Sequence, residues 1–240
     1  NIKLLSNDLY KLGINVNCGP VLDLYIDNSD KVIGDRSFHS NPNIVFKLAE
    51  VYCETIIDGG VLPVIKHIPG HGRGDQDSHK KLPTVNSNLN TLNNSDFLPF
   101  KYLSYQPIAM TAHVLYTHLD ELYPATISSK IINDIIRDKF NFNGLLISDD
   151  ISVNMKALGN NEEKNANDAL TAGCDIVLHC SGDIESVKKV SKSLPVLSNI
   201  SLSRLTKAFN ILKKPDILNY KDTLIEYQDT LKYSINKING

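Results

Sequence analysis

Short, continuously apolar runs alternate along this chain with amphipathic helical stretches, and that alternation narrows the possible folds more than any other feature. Ile14–Leu22, Val61–Ile65, Pro107–Ala112, Leu145–Ser148 and Cys174–Leu178 are apolar and β-branched with no regular polar face. Strands of that kind belong in a parallel sheet covered by helices. The intervening stretches carry helical spacing. The first holds Leu4, Leu5, Leu9 and Leu12, and Gly13 is placed to end it. Pro42–Asp58 gathers Ile44, Leu48, Val51, Tyr52, Thr55 and Ile56 on one face before Gly59-Gly60. Helices are also predicted over Asn94–Ser104, Ser128–Phe140 and Asn161–Ala172, with Gly173 closing the last. Two or three more fill Ile184 to the C-terminus. Strand starts recur every 30 to 50 residues or so, which suits β/α units with loop insertions. A doubly wound sheet is the rival, but no G-x-G-x-x-G follows any strand.

Composition sets outer limits. The 240 residues suit one domain, slightly under the roughly 250 of a single β/α barrel. A net charge of −2 and a pI near 6.4 give no electrostatic reason to expect nucleic acid or an anionic membrane as partner. No apolar run approaches the roughly 20 residues of a membrane helix. Cys18, Cys53, Cys174 and Cys180 are scattered without a C-x-x-C pair, against a zinc ribbon or redox motif. Cys18, Cys174 and Cys180 fall in apolar runs, and the four cysteines are expected to be buried free thiols of a reducing, cytoplasmic compartment. The chain begins at Asn1, without Met and inside a helical stretch, so a missing signal peptide says nothing about export. Residues 1–214 form the predicted domain, and 215–240 a solvated helical tail.

Chemistry collects at the C-terminal ends of the predicted strands. These are Asp23, Lys66-His67, His113, Asp149-Asp150 and, more weakly, His179. In β/α barrels that end carries the active site. Charged loop residues are usually just solvated, and Asp150 or Ser152 suits a helix cap as well as chemistry. Convergence at one end of several strands argues for a site. The densest segment, Lys66–His79, holds three histidines and two aspartates among Gly70, Gly72 and Gly74. One reading is a metal site of a His/Asp hydrolase, since imidazole and carboxylate suit zinc or iron, although the spacing fits no zinc signature. The other is proton transfer. Histidine titrates near neutrality, Asp77 stands two residues before His79 to orient it, and Asp149 could serve as nucleophile. Lys66, His67 and Arg36 could hold hydroxyl or acidic groups of a substrate.

The segment K-H-I-P-G-H-G-R-G-D-Q-D-S-H from Lys66 to His79 closely resembles the K-H-F-P-G-H-G…D-S-H motif of bacterial β-N-acetylhexosaminidases of glycoside hydrolase family 3, the NagZ type. I-N-V-N-C-G-P-V-L-D (Ile14–Asp23), I-G-D-R-S-F (Ile33–Phe38), M-T-A-H-V (Met110–Val114) and F-N-G-L-L-I-S-D-D-I-S (Phe142–Ser152) are similar to further family motifs, in order. The resemblance implies an α/β (β/α)8 TIM-type barrel, of which this chain would hold about five C-terminal units. It implies a retaining mechanism with Asp149 as nucleophile, His79 as acid/base and Asp77 as its dyad partner. Arg36, Lys66 and His67 would contact N-acetylglucosamine. His113 matches a family histidine near the site and is assigned no chemical role, and Asp150 reads as structural. The implied substrate is a terminal β-linked GlcNAc on a peptidoglycan fragment, such as a GlcNAc-anhydro-muropeptide, in cell-wall recycling, with no metal or organic cofactor. The family's D-x-E-G-G-R-V-x-R segment, which supplies sugar-binding residues before the first strand seen here, has no counterpart. An inactive or partner-dependent truncated relative is therefore the alternative.

Overall fold

The computed structural model describes residues 1–27 and 29–239. In chain order its helices and strands are α1 (Ile2–Lys11), β1 (Val16–Asn17), α2 (Pro42–Asp58), β2 (Leu62–Ile68), β3 (Thr84–Val85), α3 (Leu89–Asn93) and α4 (Leu98–Tyr102). There follow β4 (Ile108–Thr111), β5 (Leu115–Tyr116), a π-helix (Ile131–Lys139), β6 (Leu145–Asp150), α5 (Glu162–Ala172), β7 (Ile176–Leu178), α6 (Ile184–Ser193), α7 (Asn199–Phe209) and α8 (Tyr220–Asn239). Strands β1, β2, β4, β6 and β7 form one sheet in that order, every neighbouring pair parallel. This is an α/β five-stranded half-barrel. β3 and β5 make a separate parallel pair that the sequence reading did not foresee.

The sheet buries both faces, as unbroken apolar strands require. Ile65, Ala109 and Leu146 pack on one face with Val45, Ala49 and Cys53 of α2, Phe100 of α4, and Ile132 and Ile136 of the π-helix. Leu62, Val64, Ile108, Met110 and Leu145 point to the other face. There they meet Ala208 of α7, with Leu205 and Leu212 packed against them. The N-terminal ends of the strands are tied by Asp175, which sits just before β7. Its carboxylate receives Arg137 Nη2 and Arg204 Nη1 at 2.9 Å each. It also receives Ser201 Oγ and the Leu146 amide, both at 2.8 Å.

Three expectations need correction. The helix expected over Asn94–Ser104 is instead two short helices beginning earlier. Asn88 caps α3 by accepting from the Thr91 amide, and Pro99 falls in the first turn of α4, where its missing N–H costs nothing. The helix over Ser128–Phe140 is present but widens to π over Ile131–Lys139, with four isoleucines still buried. Of the four thiols expected to be buried, Cys53 and Cys174 are. Cys18 and Cys180 are exposed, because each lies just past the end of a sheet-edge strand rather than within it. All four cysteines are free.

Candidate active site

Two strand ends, those of β2 and β6, bring the predicted residues Lys66, His67 and Asp149 together, and the segment after β1 brings Asp23 against His67. Asp149 lies one residue from the end of β6, its side chain 20% exposed. His67 leaves β2 with Nε2 at 3.9 Å from Asp149 Oδ2. Burial pushes the Asp149 carboxyl up. The fields of His67, His113 and Lys66 and the Asp150 amide more than reverse this, leaving the group below the usual carboxylate range. It is an anion at neutral pH, as a nucleophile must be.

His67 is aimed by Asp23, which is 1% exposed. Asp23 Oδ2 accepts from His67 Nδ1 at 2.6 Å, and its carboxylate also faces the His67 amide at 3.2–3.3 Å. Its Oδ1 accepts from the His71 amide at 2.6 Å. Burial raises the Asp23 carboxyl, but His67 and His71 bring it below the ordinary value. The Lys66–His67 and Ile68–Pro69 peptides are cis. Gly72 lets the loop lie against the first strand's exit. A Cβ there would meet the Leu24 carbonyl oxygen at 2.2 Å.

Asp77 and His79 form the expected pair. Asp77 Oδ1 accepts from His79 Nδ1 at 2.8 Å and from its amide at 3.0 Å. Slight burial raises the Asp77 carboxyl, but these bonds and Lys80 hold it below the usual range. The His79 side chain is 61% exposed and makes no ion pair with Asp149 within 4 Å. The loop docks on the segment after β6 through the Ala157 amide, which donates to the Ser78 carbonyl at 3.2 Å. Arg36 is not drawn into this cluster. Its Nε donates to the Val32 carbonyl at 3.0 Å, and Nη2 donates to the same oxygen.

Sequence reasoning missed how the site is braced. His113 is fully buried between Thr126 and the Asp150 carbonyl, each 2.7 Å from a ring nitrogen. The Asp150 carboxylate accepts from the Ser152 amide and hydroxyl and from the Cys180 amide, at 3.0, 2.7 and 2.9 Å. The signal for Asp23 and His113 was their place at strand ends; their hydrogen bonds depend on a register that one sequence does not display. Among the described residues, no group of three or more His, Cys, Asp or Glu is arranged to hold a metal ion.

Fold and site together define a β/α-barrel-type protein with carboxylates and histidines gathered at the C-terminal ends of its strands. Residues 3–210 match the N-terminal domain of glycosyl hydrolase family 3, and the chain belongs to that family. It is 37% identical over 206 residues to a β-hexosaminidase of Alkalilimnicola ehrlichii, covering 85% of this chain and 58% of that protein. It is 37% identical over 181 residues to a β-hexosaminidase of Neisseria gonorrhoeae, covering 75% of this chain and 50% of that one. The crystal structure of NagZ from Neisseria gonorrhoeae in complex with N-trifluoroacetyl-D-glucosamine superposes with a TM-score of 0.78 at 33% identity, covering 89% of this chain and 61% of that one. The chain thus spans between half and about three-fifths of the length of these relatives.

Proposed function

We propose that this protein is a retaining β-N-acetylglucosaminidase, acting in a barrel of the full (β/α)8 type. The observation that carries the reading is Asp149, held ionised at a strand end with His67 and Lys66 beside it. In the first step Asp149 attacks the anomeric carbon while His79 protonates the departing glycosidic oxygen, giving a covalent glycosyl-enzyme. In the second, His79 takes a proton from water, which displaces Asp149 from the sugar. Retaining enzymes usually pair two carboxylates for this cycle. Here the Asp77–His79 pair takes the place of one, the carboxylate holding the imidazole in its tautomer and stabilising its charged form. Lys66 and His67 are assigned to the sugar; Arg36, whose guanidinium is held on the Val32 carbonyl, would have to leave it to join them.

Family membership and the N-acetylglucosamine analogue bound in the gonococcal protein support GlcNAc as the glycone. Terminal β-linked GlcNAc on peptidoglycan fragments, in cell-wall recycling, is the substrate we infer, and that role carries a cytoplasmic location. No helix is long and apolar enough to cross a membrane among the described residues.

Hydrolysis of an aryl β-GlcNAc tests the reading. Asp149→Ala abolishes turnover, and His79→Ala lowers it by the roughly 10²–10⁴-fold typical of a general acid/base. Unchanged turnover in Asp149→Ala would sink the assignment.

A further inference from the structure

We infer that His113 is a positioning residue that fixes the backbone on which Asp149 stands, an inference that rests on Asp149 being the nucleophile. His113 follows β4 by two residues, yet its ring crosses to the next strand and meets the carbonyl of Asp150, the residue directly after Asp149. The bond is 2.7 Å and fully buried on the His113 side. A carbonyl oxygen only accepts, so Nε2 must carry the proton.

The other nitrogen is managed separately. Nδ1 lies 2.7 Å from Thr126 Oγ1. That hydroxyl also approaches the Ala112 carbonyl at 3.0 Å and Thr111 Oγ1 at 2.8 Å. With a neutral ring, Thr126 donates to Nδ1 and receives from Thr111. With a charged ring, Nδ1 donates to Thr126, whose own proton turns to Ala112. Either way the bond from Nε2 to Asp150 persists, without movement of any heavy atom. The ionisable groups around the ring are Asp149, Asp150 and His67, and burial outweighs the attraction of Asp149, so the neutral form is favoured.

Asn and Gln separate this role from packing. Asn places its amide near the Nδ1 position, so it keeps the Thr126 side but falls short of Asp150. Gln reaches the Nε2 position and can donate there. We expect H113N to lower kcat on an aryl β-GlcNAc about 100-fold, as misplacement of a reacting group by about 1 Å does. KM should stay within about twofold, because sugar contacts are untouched. H113Q should recover most of the lost kcat. Equal losses in both variants, or an effect confined to KM, would overturn the proposal. Ring ¹⁵N shifts of the wild-type chain, with His113 assigned by its loss in H113Q, should show the Nε2–H tautomer at pH 7; the Nδ1–H tautomer would also overturn it. If the wild-type protein, tested with its barrel complete, shows no turnover, that result counts against the glycosidase reading, and His113 is judged by the ring spectrum alone.

Discussion

At the scale of single residues, the site is built on Asp23. This carboxylate lies beneath the reacting groups, yet it sets the direction of His67 and anchors the amides of His67 and His71. Removing it leaves a buried imidazole N–H and two buried amides without an acceptor. Asp23→Ala is therefore expected to lower the free energy of unfolding by about 3 kcal/mol, the range for one lost partner of a buried charged pair. A urea titration reads this directly, and a loss under 1 kcal/mol would mean that the loop holds itself. The residues proposed to carry chemistry stood out because Asp, His and Lys rarely end apolar strands without a reason. Arg36 shows the limit of that logic. Its motif is intact, but its guanidinium is turned onto the Val32 carbonyl of its own loop, and no local pattern encodes such a turn.

Elements were legible where their end signals are local. α2 runs from Pro42 to Asp58 as expected, since Asn41 caps it by accepting from the Asn43 amide and Pro42 opens it. α5 ends at Gly173, whose φ of +119° suits glycine, and whose missing Cβ would stand 2.9 Å from Ile132. The stretch around Asn94 misled because its asparagines offer several competing caps, and packing of Phe97 and Phe100 rather than spacing decides among them. The β3–β5 pair was invisible, since two residues on each side carry no periodicity. Two element-scale predictions follow from the contacts. Asp175→Ala strands Arg137 and Arg204 at the start of β7 and should cost about 3–5 kcal/mol of stability, measured by denaturant unfolding. Gly72→Ala forces the loop off Leu24 and should lower kcat about 100-fold through misplacement of the site. Wild-type turnover in that variant would show that the loop yields without disturbing the chemistry.

For the whole molecule, acid should loosen the fold in two stages. His71 and His113 have their affinity for protons lowered by burial, so the unfolded chain binds protons more tightly than the folded one. Stability from these residues is therefore complete above their unfolded value, near 6.5, and is lost as pH falls from there toward their lower folded values. Asp23, Asp77 and Asp149 are depressed in the fold. Their contribution is present above an unfolded value near 3.9 and disappears as pH falls further. Urea midpoints between pH 7.5 and 5 should decline, and the decline should flatten in H113Q; a midpoint rising toward pH 5 would contradict the sign.

The Asp175 cluster lies at the opposite ends of the strands from Asp149, and that separation has an evolutionary consequence. The Asp175 cluster holds the strands without touching the Asp77–His79 loop, so that loop can drift without unsettling the sheet. Randomising Gln76, Lys80 and Lys81 while Asp77 and His79 are kept should therefore yield libraries in which most members still fold while substrate preference varies. The same diversity placed around Arg137, Asp175 and Arg204 should yield mostly insoluble protein.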